Sequence, residues 1–229
     1  MKLLRIIFSV KNSNNHKILT ILGFKFKFKF NNNKVLLYKN NGKIVKNPKI
    51  KGLKVIFNGE NACVKIHEPC KFINSKICLY DNASVTIQKT KYQYNELYVN
   101  ADYSTGFNLN IGENTSCGGL LIRSAAGSDI SISIGKECAF STDTVVQPID
   151  GHWILDAKSG EILNKKVLPL IIGDHVWLGR FVKICKNVQI PANSIIGMGA
   201  IITKSFCEEN VVIAGVPATV VKRGVNWQR

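Results

Sequence analysis

Few side chains can move a proton near neutral pH, and histidine, with an unperturbed pKa of about 6.5, is the first to weigh. The chain has four: His16, His67, His152 and His175. His152 is distinguished by its setting, Gln147-Pro148-Ile149-Asp150-Gly151-His152-Trp153, with a carboxylate two residues before it and an indole directly after. An imidazole placed there can serve as a general base toward a hydroxyl nucleophile. Asp150 would then either orient the ring and stabilise the imidazolium or contact substrate. The competing reading is a loop histidine that only hydrogen-bonds backbone. His175 falls in a turn position where Asn or Asp is common, which favours a structural role, and His16 and His67 have no supporting neighbours. Metal chemistry finds little support: no pair has His-x4-His spacing, and the seven cysteines never form a CxxC pair. No metal is expected.

The elements that must position His152 are read from periodicity. From Ile172 an apolar residue recurs at every sixth position: Ile172, Leu178, Ile184, Ile190, Ile196 and Ile202. A second series follows four residues after each, at Val176, Val182, Val188, Ser194, Ala200 and Phe206, and is mostly small or β-branched. Turn-tolerant Gly173, Gly179, Pro191 and Gly197 lie between. A period of six matches neither a helix nor a meander strand; it suits short strands stacked as a solenoid. The same register is visible at Ile111–Thr115 and Ile134–Cys138, and is degraded elsewhere between Gly52 and Val146. Between Val146 and Pro169 it is absent, so 146–169 is read as a loop ejected from one corner, and it carries His152. After Cys207 a tail, 208–229, is expected to hold a short basic helix through Lys222 and Arg223.

Residues 1–50 differ in composition and are assigned to an N-terminal β-rich cap, with 51–229 as the solenoid domain. Phe24-Lys25-Phe26-Lys27-Phe28-Lys29-Phe30 alternates strictly, as a strand with one apolar and one lysine face does. It reads as a cap on the open end, its lysines discouraging edge pairing, or as an electrostatic contact with anionic head groups or an acidic glycan; the two are compatible. The net charge of +16 is spread over lysines rather than gathered in an arginine-rich patch, which disfavours a nucleic-acid partner and leaves an anionic membrane or acidic small molecules. With 45% hydrophobic residues the chain can bury a large core, and no stretch reaches the length of a membrane span. No signal peptide is evident at Met1–Val10. The expected location is the cytoplasm, with peripheral contact at the inner face of the membrane.

Three segments carry a family resemblance: Ile172-Gly173-Asp174-His175-Val176-Trp177-Leu178-Gly179, the hexads to Lys204, and Ala214-Gly215-Val216-Pro217-Ala218. They resemble the hexapeptide-repeat acyltransferases. The resemblance implies an all-β fold, a left-handed parallel β-helix, working as a homotrimer with active sites between neighbouring subunits. The left hand comes from the family alone, since parallel crossovers are ordinarily right-handed. Asp150-Gly151-His152, 25 residues before Trp177, is similar to bacterial surface-polysaccharide O-acetyltransferases that modify polysialic acid or sialylated lipooligosaccharide.

The implied reaction is acetyl transfer from acetyl-CoA to a hydroxyl of an acidic glycan, with His152 as base. By the family's motif Trp177 lies beside the thioester, its indole N–H helping to hold the acetyl group; the alternative is an aromatic that packs between subunits. Arg180, Met198, Ala200, Thr203 and Lys204 fall at donor-contacting places, and Lys222 and Arg223 near the adenosine phosphate. Trp153 can stack on a sugar face or pack beneath its own loop. Two other readings stay open: N-acetylation of an amino-sugar nucleotide, and a non-catalytic β-solenoid that binds a partner.

Overall fold

The computed structural model describes residues 8–13, 16–21, 24–29, 31–124 and 127–229, with side chains from residue 31 onward. The chain divides into two compact units, Met1–Asn33 and Lys34–Arg229. In the first, Phe8–Ser13, His16–Ile21 and Phe24–Lys29 form a three-stranded antiparallel sheet. The alternating Phe-Lys segment is thus a strand. The side chains on which its lipid or glycan contact would rest lie outside the described residues, as do residues 1–7, where the sequence offered no evident signal peptide.

The second unit is a parallel β-helix with three faces. The first sheet has eight strands, among them Ser131–Ile134, Leu170–Ile172 and Gln189–Ile190. The second also has eight, including Ala139–Phe140, Trp177–Leu178 and Ile195–Ile196. The third has seven, including Thr144–Val146, Lys183–Ile184 and Ile201–Ile202. One coil takes one strand from each in turn. Both sixfold series point inward: Ile172, Val176, Leu178, Val182, Ile184, Val188, Ile190, Ser194, Ile196, Ala200 and Ile202 are all buried. The period of six is therefore one strand plus one corner, and each corner turns through a left-handed residue. His175 (φ 54°) and Asn193 (φ 56°) occupy equivalent corners of successive coils, which confirms the turn reading of His175 and explains why Asn is frequent there.

Two expectations are corrected. Lys34–Tyr38 pairs in parallel with Cys63–His67, and Ile44–Lys46 folds back on it, so the helix begins at residue 34 and not at 51. Composition misled here, because the lysines and asparagines of 34–46 face solvent on an end coil. The tail contains no helix. Val211–Gly215 and Ala218–Arg223 form an antiparallel hairpin at the edge of the second sheet, since Thr219, Val220 and Val221 are β-branched and Val220 packs on the core. Among the described residues no helix is long and apolar enough to cross a membrane.

Candidate active site

The stack breaks where the sequence loses its register. Between Thr144–Val146 of the third sheet and Leu170–Ile172 of the first, the chain leaves the corner and returns to it. Ile149, Asp150, His152, Trp153, Asn164 and Lys186 line a cavity of about 290 Å³ at the base of this loop. Three expected residues, Asp150, His152 and Trp153, are thus brought together. Lys186, in the corner one coil on, reaches up to form an ion pair with Asp150 and donates to the Asn164 carbonyl oxygen at 3.0 Å. Asn164 Nδ2 donates to Asp150 Oδ2 at 2.7 Å and to the His152 carbonyl oxygen at 2.9 Å, and its Oδ1 accepts from the Ile154 N–H at 2.8 Å.

Burial raises the Asp150 carboxyl, but the hydrogen bonds from Lys186 and Asn164 and the charge of Lys186 outweigh it, so the net shift is downward. Asp150 is an ionised anchor for the loop. Among the described residues nothing hydrogen-bonds the His152 ring, which stands exposed on a pinned backbone, so its lone pair is open to a ligand. The orienting role considered for Asp150 is not the one its contacts serve. Sequence reasoning missed Asn164 and Lys186: neither sits in a motif, and Lys186 occupies an ordinary corner position.

Trp177 is on the second sheet, 41% exposed, between Ala139 and Ile195. The loop springs from the junction of the third and first sheets, so within one chain Trp177 and His152 belong to different parts of the prism. Trp177 has a neighbour that the sequence did not suggest. The Trp227 ring stacks on His175 at 4.4 Å between centroids, lies 6.1 Å from Trp177, and donates its indole N–H to the His175 carbonyl oxygen at 2.8 Å.

The remaining residues fall in three groups. Arg180 and Met198 share the corner between the second and third sheets, where Gly199 N–H donates to the Arg180 carbonyl at 2.8 Å; Met198 is 72% exposed. Arg180 Nε donates to Thr142 Oγ1 at 2.8 Å. Thr203 and Lys204 follow Ile202, whose strand pairs with Lys183–Ile184, so they run beside Cys185 and Lys186. Both are exposed. Lys222 and Arg223 lie on the edge hairpin, and Arg223 donates to Glu208 at 3.0 Å. The Ala200 methyl is buried in the core and its carbonyl accepts from the Lys183 N–H at 3.0 Å, so a donor would meet this coil through backbone rather than through that side chain. The exposed cations Arg180, Lys204 and Lys222 fit a phosphate-bearing donor.

Comparison with known proteins places this arrangement. Residues 169–204 match the six-repeat model of the bacterial transferase hexapeptide family. The chain is 37% identical over 171 residues to the polysialic acid O-acetyltransferase of Neisseria meningitidis, covering 75% of this chain and 77% of that one. The chain belongs to the hexapeptide-repeat acyltransferases. Membership carries the left-handed winding. The crystal structure of the polySia-specific acetyltransferase NeuO is 28% identical, with a TM-score of 0.71 over 87% of this chain and 86% of that one. The galactoside O-acetyltransferase of Escherichia coli K12 is 34% identical over 122 residues, 52% of this chain, and the match spans 56% of that relative's length.

Proposed function

We propose that this protein is an acetyl-CoA-dependent O-acetyltransferase that modifies a hydroxyl of an acidic bacterial surface glycan, a sialic acid of capsule or lipooligosaccharide. The observation that carries the reading is the His152 imidazole: exposed, without a hydrogen-bond partner among the described residues, and held on a loop tied down by Asp150, Asn164 and Lys186. In the reaction His152 takes the proton of the acceptor hydroxyl. The hydroxyl oxygen bonds to the acetyl carbon, the carbon–sulfur bond breaks, and the imidazolium returns its proton to the departing thiolate. Trp177 borders the acetyl group, and Arg180, Lys204 and Lys222 balance the donor's phosphates.

The site is completed between protomers of a homotrimer. Two observations support this. Trp177 and the His152 loop lie on different parts of one chain, and the loop exposes Trp153, Ile154, Leu155, Leu163, Val167 and Leu168, an apolar set that calls for a covering partner. The excess charge favours an acidic acceptor; the location proposed is the cytoplasm, with the basic N-terminal segment at the inner membrane face.

The test is thiol release from acetyl-CoA against sialylated glycans, neutral glycans and amino-sugar nucleotides. Release that requires a sialylated acceptor is expected; release with amino-sugar nucleotides alone rejects the O-acetyl reading. His152→Ala should lower turnover by about 100- to 10,000-fold with the oligomer and donor binding retained. Unchanged turnover removes His152 as the base.

A further inference from the structure

The second sheet continues past Trp177 for several coils, and its far end is built unlike the rest. Lys71, Lys91, Tyr92, Gln93, Ser116 and Arg229 line an open cleft of about 580 Å³. Its most fully contacted side chain is that of Arg229. Gly224–Arg229 runs down across successive coils from the hairpin, with Trp227 seated on His175. Arg229 then donates from Nη1 to Ser116 Oγ and from Nη2 to the Cys138 carbonyl oxygen, each at 2.8 Å. Its guanidinium lies 3.8 Å from the centroid of the Tyr92 ring, with Lys91 5.3 Å from the same ring. All these partners are neutral or cationic. No acidic side chain lines the cleft, and among the described residues Lys71, Lys91 and Arg229 form no ion pair. Three cations gathered with no acidic side chain among them, one fixed by two hydrogen bonds and a ring stack, make a preorganised place for anions.

Its position says which anion. Lys71 pairs with Gln93, Tyr94 with Cys117, Ser116 with Ala139 and Ala139 with Trp177. One outward-facing ladder therefore leads from Lys71 to Trp177 in four steps, about 19 Å at the usual strand spacing. A small anion has no use for such a length; a chain of carboxylate-bearing sugars does.

We propose that this cleft holds the run of an acidic oligosaccharide acceptor, Lys71, Lys91 and Arg229 pairing with carboxylates of residues beyond the one acetylated at Trp177. The proposal rests on the acetyltransferase reading for its acceptor, and it makes the protein selective for acceptor length as well as charge.

The experiment is equilibrium binding, without donor, of a sialic acid monomer and octamer to the full chain, its Lys71→Gln/Lys91→Gln double variant and Arg229→Gln. Thiol release with the same acceptors is measured in parallel. The wild type should prefer the octamer, more so at low salt. Each variant should reduce the octamer-to-monomer affinity ratio, the double variant by about tenfold, as the loss of two charge-assisted contacts implies. The lysines are exposed, so these chains fold, and a thermal midpoint checks that. An unchanged ratio overturns the proposal, as do equal losses for both ligands. Loss of binding to phosphatidylserine vesicles with octamer binding intact also overturns it and assigns the face to lipid. Octamer binding that depends on these cations but never leads to thiol release leaves the cleft standing and removes the transferase reading. Release on the octamer with an unaffected ratio does the reverse.

Discussion

From Leu170 to Ile202 every inward position is filled by an apolar or small side chain withdrawn from water, and each strand hands its hydrogen bonds to the next coil. Residues 147–169 reverse this. Their large apolar side chains mostly face outward, and the segment is held by polar groups: the Asp150–Lys186 pair, the Asn164 bonds, and Asn187, which accepts from Leu168 N–H at 2.7 Å and donates to the Lys166 carbonyl at 3.2 Å. The coils are stabilised by burial, which is large and nonspecific in direction. The loop is positioned by hydrogen bonds, which are individually weaker but fix a backbone in orientation. A general base needs the second kind of support. Its surroundings must leave the imidazole open to substrate, and a packed coil cannot do that.

Removing a side chain from the stack should break the fold most. Ile184→Ala deletes fully buried methyl groups between successive coils and should cost about 2–5 kcal/mol, read as a lower unfolding midpoint in denaturant; a change within error would mean that the coil interior relaxes freely.

Removing the loop's anchor should separate position from stability. Lys186→Met takes away an ion pair whose side chains are 18% and 37% exposed, worth on the order of 1 kcal/mol, so the melting temperature should fall far less than in Ile184→Ala. Turnover should nevertheless fall, by as much as about 100-fold if His152 shifts by an ångström, and proteolysis within 153–164 should quicken. Equal turnover would reduce the Asp150–Lys186–Asn164 network to a surface feature.

The gentlest perturbation is pH. The Asp150 carboxyl is held below its ordinary value of 3.8, so its contribution is fully present above that value and is lost as pH falls through the depressed one. Amide exchange at Ile154, whose N–H is bonded to Asn164, should stay protected through mild acid and open only in strong acid. In Lys186→Met the opening should move to higher pH. Identical profiles would detach the loop from Asp150.

The two regions also differ in what could be read from residue order. The stack was legible because its rule is one-dimensional: a side chain every six residues must point inward, and the same constraint repeats in each coil. The break in that rule located the loop, and the loop contained His152, Asp150 and Trp153. The tail forms a hairpin and not the expected helix because the β-branched run Thr219-Val220-Val221 outweighs the basic residues that follow it. The start of the helix was misplaced because an end coil has one open side and keeps polar residues that resemble a separate segment.

The sequence by itself therefore determined the period, the solenoid and the segment that carries His152. Only the tertiary structure decided that Asp150 is an anchor bound by Lys186, that Trp177 stands apart from the His152 loop within one chain, and that Trp227 and Arg229 return to the second sheet. The physical reason is the range of the contacts. Burial period is set by near neighbours along the chain, whereas Lys186 reaches Asp150 across the stack and Arg229 meets Ser116 at a sequence separation of 113 residues. Side chains that meet only after the coils have wound leave no spacing for a sequence to show.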